Sequence, residues 1–139
     1  MQFSEQALLA AAFVFESVNG RTLSDWENYE IEQHGLRDID PDQLSLELIR
    51  LITTVQESDS RDKGQAYWAL GKKQDLCLLP FFQQQLALEM HRDMFSAYQI
   101  MIALDNLHEP IFCDSRRGYS IDEYEMNRYD AECYLGTLT

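Results

Sequence analysis

Arg61-Asp62-Lys63-Gly64-Gln65-Ala66-Tyr67-Trp68-Ala69-Leu70-Gly71 decides the fold, because part of it is written twice. Arg61-Asp62 and Ala66-Tyr67 return as Arg92-Asp93 and Ala97-Tyr98, an offset of 31 residues. A period of that size fits one helical hairpin, and stacked hairpins each leave an apolar face for the neighbour to cover. Ala69-Leu70-Gly71 closes one helix and Leu79-Pro80-Phe81-Phe82 opens the next, while the later copy runs through Ala103-Leu104, Leu107 and Pro110. Proline suits a first helical turn, where the amide donors have no intrahelical partner, and is costly further in.

Outward from this pair the chain reads as helices throughout, with no period-two alternation of a sheet. A first helix starts at Ser4 and stops at Asn19-Gly20. A second follows Ser24 as cap, with Trp26, Tyr29 and Ile31 inward and Asp25, Glu27, Glu30 and Glu32 mostly outward. A third is capped by Asp40, with Pro41 at its first position and Leu44, Leu48, Ile49, Ile52 and Val55 at helical spacing. The repeat supplies helices over 60–72, 76–89 and 92–107, the last apolar around most of its circumference. The final helix is expected over 120–135, because Ser120 and Glu123 have capping-box spacing. The expectation is one all-α domain over 1–139: acidic helices at 1–60, a repeat pair at 61–112 and an acidic cap at 113–139.

Residues 61–110 resemble the HEAT-like repeat, whose pattern has Ala-Leu-Gly at a helix end and an apolar-Pro pair early in the next helix. Pro80 and Pro110 match the family's two proline positions, though neither copy carries both. Tyr67, Leu70 and Gly71 also echo the opening of a tetratricopeptide repeat, but Lys72, Lys73 and Gln74 stand where its next aromatic belongs. The HEAT-like resemblance implies a short antiparallel helical stack that binds proteins. It also brings in lyases that attach chromophores, which no residue here singles out.

Charge narrows the partners. The formal net charge is -13, and the hydrophobic fraction of 45% argues against disorder. Such a surface repels nucleic acid and anionic membrane and attracts basic proteins or metal ions. Residues 1–60 carry 12 acidic and 3 basic side chains, 61–118 carry 7 and 7, and 119–139 carry 5 and 1. Acidity therefore sits in the flanks. The apolar run Ala7–Phe15 is too short to span a bilayer. Glu5, the lack of a basic leader and an odd number of cysteines (Cys77, Cys113, Cys133) read as a reduced, cytoplasmic protein.

Catalytic constellations are missing from the pattern. His34, His91 and His108 lie in different regions without zinc spacing, and no serine sits in a nucleophile elbow. The six glycines punctuate helices rather than form a phosphate loop. Asp38, Asp40 and Asp42 lack the glycine and distant glutamate of a calcium loop. The reading is a binding protein: not an enzyme, with no cofactor, no metal, no nucleic acid and no membrane.

On the last helix, Ile121, Tyr124, Ala131 and Leu135 form a strip expected in the core. Met126, Tyr129 and Cys133 form a second strip beside Asp122. Tyrosines among carboxylates suit recognition of a basic protein; the alternative is a terminal cap with its tyrosines anchored on the core. The candidate contacts are Asp122, Glu123, Tyr129 and Asp130, with Asp25, Glu27 and Glu30 as the other acidic set. Mimicry of DNA phosphates by these carboxylates would differ only in geometry.

In size, acidity and lack of an active site the chain resembles the immunity proteins of contact-dependent inhibition and polymorphic-toxin systems. That resemblance implies one-to-one neutralisation of a basic toxin domain, a nuclease foremost, in the cytoplasm of the producing bacterium. The competing expectation is a HEAT-like scaffold without inhibitory role. It would use the inner surface of its repeats, near helices four and six.

Overall fold

Local signals set most helix ends. A computed structural model describes residues 3–54, 60–116 and 118–138, and for 60–62 the backbone alone. Val55 and the side chains of Arg61 and Asp62, used in the sequence reading, lie outside that description. Helix α1 (Glu5–Val18) is capped by Ser4, whose hydroxyl accepts the Ala7 amide. It ends with Gly20 at φ 95 and the Arg21 amide donating back to the Glu16 carbonyl, a left-handed stop that glycine adopts without penalty. Helix α2 (Asp25–Gln33) opens with a full capping box between Ser24 and Glu27 and closes the same way at Gly35. Helix α3 (Pro41–Thr54) starts behind Asp40, which accepts the Gln43 amide at 3.2 Å.

The repeat pair gives α4 (Ser60–Gly71), α5 (Leu79–Glu89) and α6 (Met94–Asn106). Leu76–Leu78 is a 3-10 turn capped by Asp75, so α5 begins three residues later than expected, with Pro80 in its first turn. Asp93 caps α6 by accepting the Phe95 amide and the Ser96 hydroxyl. Among the described residues no helix starts at Pro110, and 107–116 and 118–123 are irregular up to α7 (Tyr124–Gly136). The described residues form seven α-helices and no strand, as the sequence reading expected.

Contacts at both ends fix the helix directions. Gln65 on α4 donates to Glu5 at the start of α1, while Asn19 at the end of α1 donates to the Lys72 and Lys73 carbonyls just past α4. Gly64 faces Ser96 and Gly71 faces Ala103, so α4 and α6 also run in one direction. Helices α1, α4 and α6 thus form a parallel row with α4 in the middle. Helix α3 returns antiparallel, its Asp42 meeting Lys73. Helix α5 likewise opposes α4: Tyr67 donates to Gln85 at 2.8 Å, and Lys63 lies 3.7 Å from Glu89.

Small residues let the row close up. A Cβ on Gly71 would lie 2.9 Å from the Ala103 Cβ, so glycine is required by packing rather than by backbone angle. Ala66, Tyr67, Ala69 and Leu70 of α4 and Ala97, Ile100, Met101 and Leu104 of α6 are all buried, as the repeated phrases demand. One hydrophobic cluster runs from Leu8 on α1 to Tyr134 on α7. Helix α6 is covered by α4, α5 and α7 but leaves Phe95 exposed.

Two expectations fail on α2. Trp26 and Tyr29 face solvent at 56% and 55% exposure, and Glu27 is buried. The cause is polar: Glu27 accepts the Ser24 amide at 2.9 Å and the Arg21 guanidinium at 2.5 Å, which turns its side of the short helix inward. Trp26 still meets Phe13 edge-on at 5.8 Å, and Ile31 is buried as expected. No helix among the described residues is long and apolar enough to cross a membrane.

Candidate interaction surface

The seven candidate residues do not form one patch. Asp122, Tyr129 and Asp25 are exposed, Glu123 and Glu30 are half-buried, and Glu27 and Asp130 are buried. The two acidic flanks therefore divide into carboxylates that hold the fold and carboxylates that face outward.

Arg116 makes that division on α7. Its side chain, 3% exposed, reaches from the irregular segment to three acceptors: Asp130 at 2.8 Å, Glu123 at 3.0 Å and the Asn127 side-chain Oδ1 at 2.9 Å. Its guanidinium also lies over the rings of Phe112 and Tyr119, which stack on each other at 3.9 Å. Burial would favour the neutral form, but the hydrogen bonds to Asp130 and Glu123 prevail and hold its pKa above the ordinary arginine value. Asp130 accepts the Cys113 amide as well, and Asn127 donates to the Ser120 carbonyl.

This clamp corrects the expected helix start. Glu123 has turned to Arg116 instead of back to Ser120, whose hydroxyl accepts the Asp122 amide, so α7 begins at Tyr124 rather than 120. It also turns Asp130 inward and ties Glu123, whose side chain stays 36% exposed, to Arg116. Of the expected core strip, Ala131 is buried and Leu135 half-buried, but Tyr124 is exposed and Tyr134 takes its place inside. Tyr134 donates to Glu109 at 2.6 Å and accepts from Gln83 at 2.9 Å. Its phenol is pushed up to about 12, first by burial and then by Glu109, with Gln83 opposing.

The outer face of α7 is the other product. Met126, Tyr129 and Cys133, at the spacing that aligns side chains on a helix, are all exposed, Tyr129 at 64%. Glu125 and Glu132 flank them and are exposed, as is Asp122 before the helix. None of these three carboxylates has an ion-pair partner among the described residues. The Tyr129 phenol is held above its ordinary value, chiefly by the neighbouring Cys133 side chain. Arg128 is the one exposed cation on the helix.

On α2 the arrangement differs. Glu27 is pulled below its ordinary pKa by the Ser24 amide, against burial, with Arg21 adding to the effect. Arg21 also reaches Glu16 at 3.1 Å. Glu30 lies 3.8 Å from the His34 ring, and Glu32 3.5 Å from Arg37. Asp25 alone of the three candidates there projects freely.

A groove crosses the parallel row near the start of its helices, with a volume of about 890 Å³. Leu8, Leu9, Trp68, Phe95 and Ile121 give it an apolar floor and wall. Sequence reasoning missed it, and missed Arg116, because neither has a motif; each exists only once distant segments meet. Among the described residues no group of three or more His, Cys, Asp or Glu side chains is placed to hold a metal ion. Comparison with protein-family models, with curated proteins and with solved structures found no match.

Proposed function

We propose that this chain is a non-catalytic binding protein of the immunity type, which neutralises a basic protein, a toxin domain, through the outer face of α7. The carrying observation is Tyr129: 64% exposed, in line with Met126 and Cys133, and bordered by Glu125 and Glu132. A tyrosine of this kind supplies contact area at low entropic cost, and the surrounding carboxylates select a basic surface. Arg116 supports the reading because it anchors α7 from beneath and pre-orders the face before a partner arrives. The row α1–α4–α6 with returning helices supports a HEAT-like stack, in which α7 is the acidic terminal cap. In this reading the protein works in the cytoplasm of the producing bacterium and needs no cofactor.

The test is affinity capture from the native host with the wild-type chain and Tyr129→Ala as paired baits. One basic protein is expected on the first and not on the second, and purified chain should suppress its toxic activity at one-to-one stoichiometry. Truncation of a central tyrosine should cost about 2 kcal/mol of binding or more. Thermal stability should be unchanged, since Tyr129 lies outside the core. Retention by both baits, or a partner whose activity is not suppressed, contradicts the reading.

A further inference from the structure

Two of the three cysteines are brought to one flank of α7. The chain from Glu109 to Arg116 runs antiparallel along that helix and is fastened to it in register. Glu109 accepts the Tyr134 hydroxyl at 2.6 Å, the Cys113 amide donates to Asp130 at 3.3 Å, and Arg116 reaches Glu123 at 3.0 Å. Cys133 lies between the first two of these ties, one residue before Tyr134 and three after Asp130. Around the helix axis it falls between Asp130, which faces the 109–116 chain, and Tyr129, which faces solvent. Three residues of helix rise about 4.5 Å. That offset is of the size a disulfide spans, since bridged cysteines have Cα atoms about 4.4–6.8 Å apart.

Both cysteines are exposed free thiols. Cys113 opens a turn in which the Arg116 amide donates to its carbonyl at 3.0 Å, and the Ser115 hydroxyl oxygen stands 3.1 Å from its sulfur. The buried Arg116 clamp therefore holds Cys113 against α7 from one side, and the Glu109–Tyr134 tie holds the chain from the other. The Tyr129 phenol is raised by Cys133 first and by Cys113 as well, so both thiols border one hydroxyl. Cys77 is also exposed but sits in the 3-10 turn before α5.

We propose that Cys113 and Cys133 are a thiol pair that a peroxide closes into an intramolecular disulfide, a redox modification site on the flank of α7. The Cys113 thiolate, to which the Ser115 hydroxyl can donate, attacks one peroxide oxygen; the O–O bond breaks, hydroxide leaves and Cys113 becomes a sulfenic acid. The Cys133 thiolate then attacks that sulfur, forming the S–S bond and expelling a second hydroxide. The two sulfurs give up two electrons, the two thiol protons neutralise the two hydroxides, and the peroxide ends as two waters. A neighbouring thiol of this kind intercepts the sulfenic acid before it is oxidised further. A thiol reductant reopens the bond by exchange. The bond forms or fails in the isolated chain, so it stands apart from the reading of α7 as a binding face.

The test treats the reduced full chain with equimolar hydrogen peroxide, alkylates the remaining thiols and maps the peptides by mass spectrometry. One cross-linked pair containing Cys113 and Cys133 is expected, two hydrogens lighter than the separate peptides and lost on reduction, with Cys77 recovered alkylated. In Cys133→Ser, an exposed position where serine leaves the packing alone, dimedone should trap Cys113 as a sulfenic acid at least tenfold more than Cys77 in the same chain. Recovery of Cys113 and Cys133 as separate peptides, whether alkylated or oxidised beyond the sulfenic acid, overturns the proposal. So does a bond from either of them to Cys77 or to a second chain, and so does equal trapping of Cys113 and Cys77.

Discussion

Arg116 shows how much of this protein's acidity is structural. A guanidinium 3% exposed can be tolerated because its planar fork meets Asp130, Glu123 and Asn127 together, a geometry that a lysine ammonium cannot reproduce. Removing it strands Asp130, itself 5% exposed, without its cation. Breaking one side of such a pair is far more costly than replacing both. Arg116→Met is expected to lose about 3 kcal/mol in urea unfolding. Arg116→Met with Asp130→Asn should recover part of that loss, because no charge is then left buried alone. Equal stability of the single variant and the wild type would mean that the clamp does not hold α7. In the sequence Arg116 stands without a motif before an acidic helix, so nothing there marks Glu123 and Asp130 as its acceptors.

At the scale of the element, the helices whose ends depend on nearby residues were legible. Ser4, Ser24 and Asp40-Pro41 start their helices, and Gly20 and Gly35 stop theirs, because each signal acts within three or four residues. Helix α7 was misplaced at its start because Glu123 is recruited by a side chain seven residues upstream. Helix α2 was rotated wrongly because nine residues with apolar side chains on several sides do not define one face, and the Glu27–Arg21 pair decides. The repeated phrases marked α4 and α6 as equivalent, and their close approach makes a paired test. Gly71→Ala should destabilise by about 1–3 kcal/mol, since the new methyl would meet both the Cβ and the Cα of Ala103. Gly64→Ala should be neutral or stabilising by up to about 1 kcal/mol: its methyl meets only the Ser96 hydroxyl at 3.8 Å, and alanine is the better helix former. Similar losses at both positions, read by chemical denaturation, would argue against the close α4–α6 contact.

For the whole molecule, charge acts on stability and on association in different ways. Glu27 and Asp75 both titrate below their ordinary values, Glu27 through the Ser24 amide and Asp75 through the Cys77 amide; burial opposes both, and Arg21 and Lys73 assist. For a carboxylate with a depressed folded pKa, the contribution is complete above the unfolded value and fades as pH falls through the folded one. The destabilisation by Glu27→Gln should thus be constant above the ordinary carboxylate range and shrink as pH falls below it, through the depressed folded value. A loss independent of pH would mean that the Glu27 charge is not what matters. The outward carboxylates Asp122, Glu125 and Glu132 govern encounter instead, through a field that salt screens. The most direct measurement of the binding claim is the association rate constant with the captured partner, followed against ionic strength. It should be compared for the wild type and for the chain bearing Asp122→Lys, Glu125→Lys and Glu132→Lys. The wild-type rate should be fast at low salt and fall steeply as salt rises, while the reversed chain, melting as before, should associate at least about tenfold more slowly and lose most of that dependence. Equal rates for the two chains at low salt would contradict recognition of a basic partner by this face.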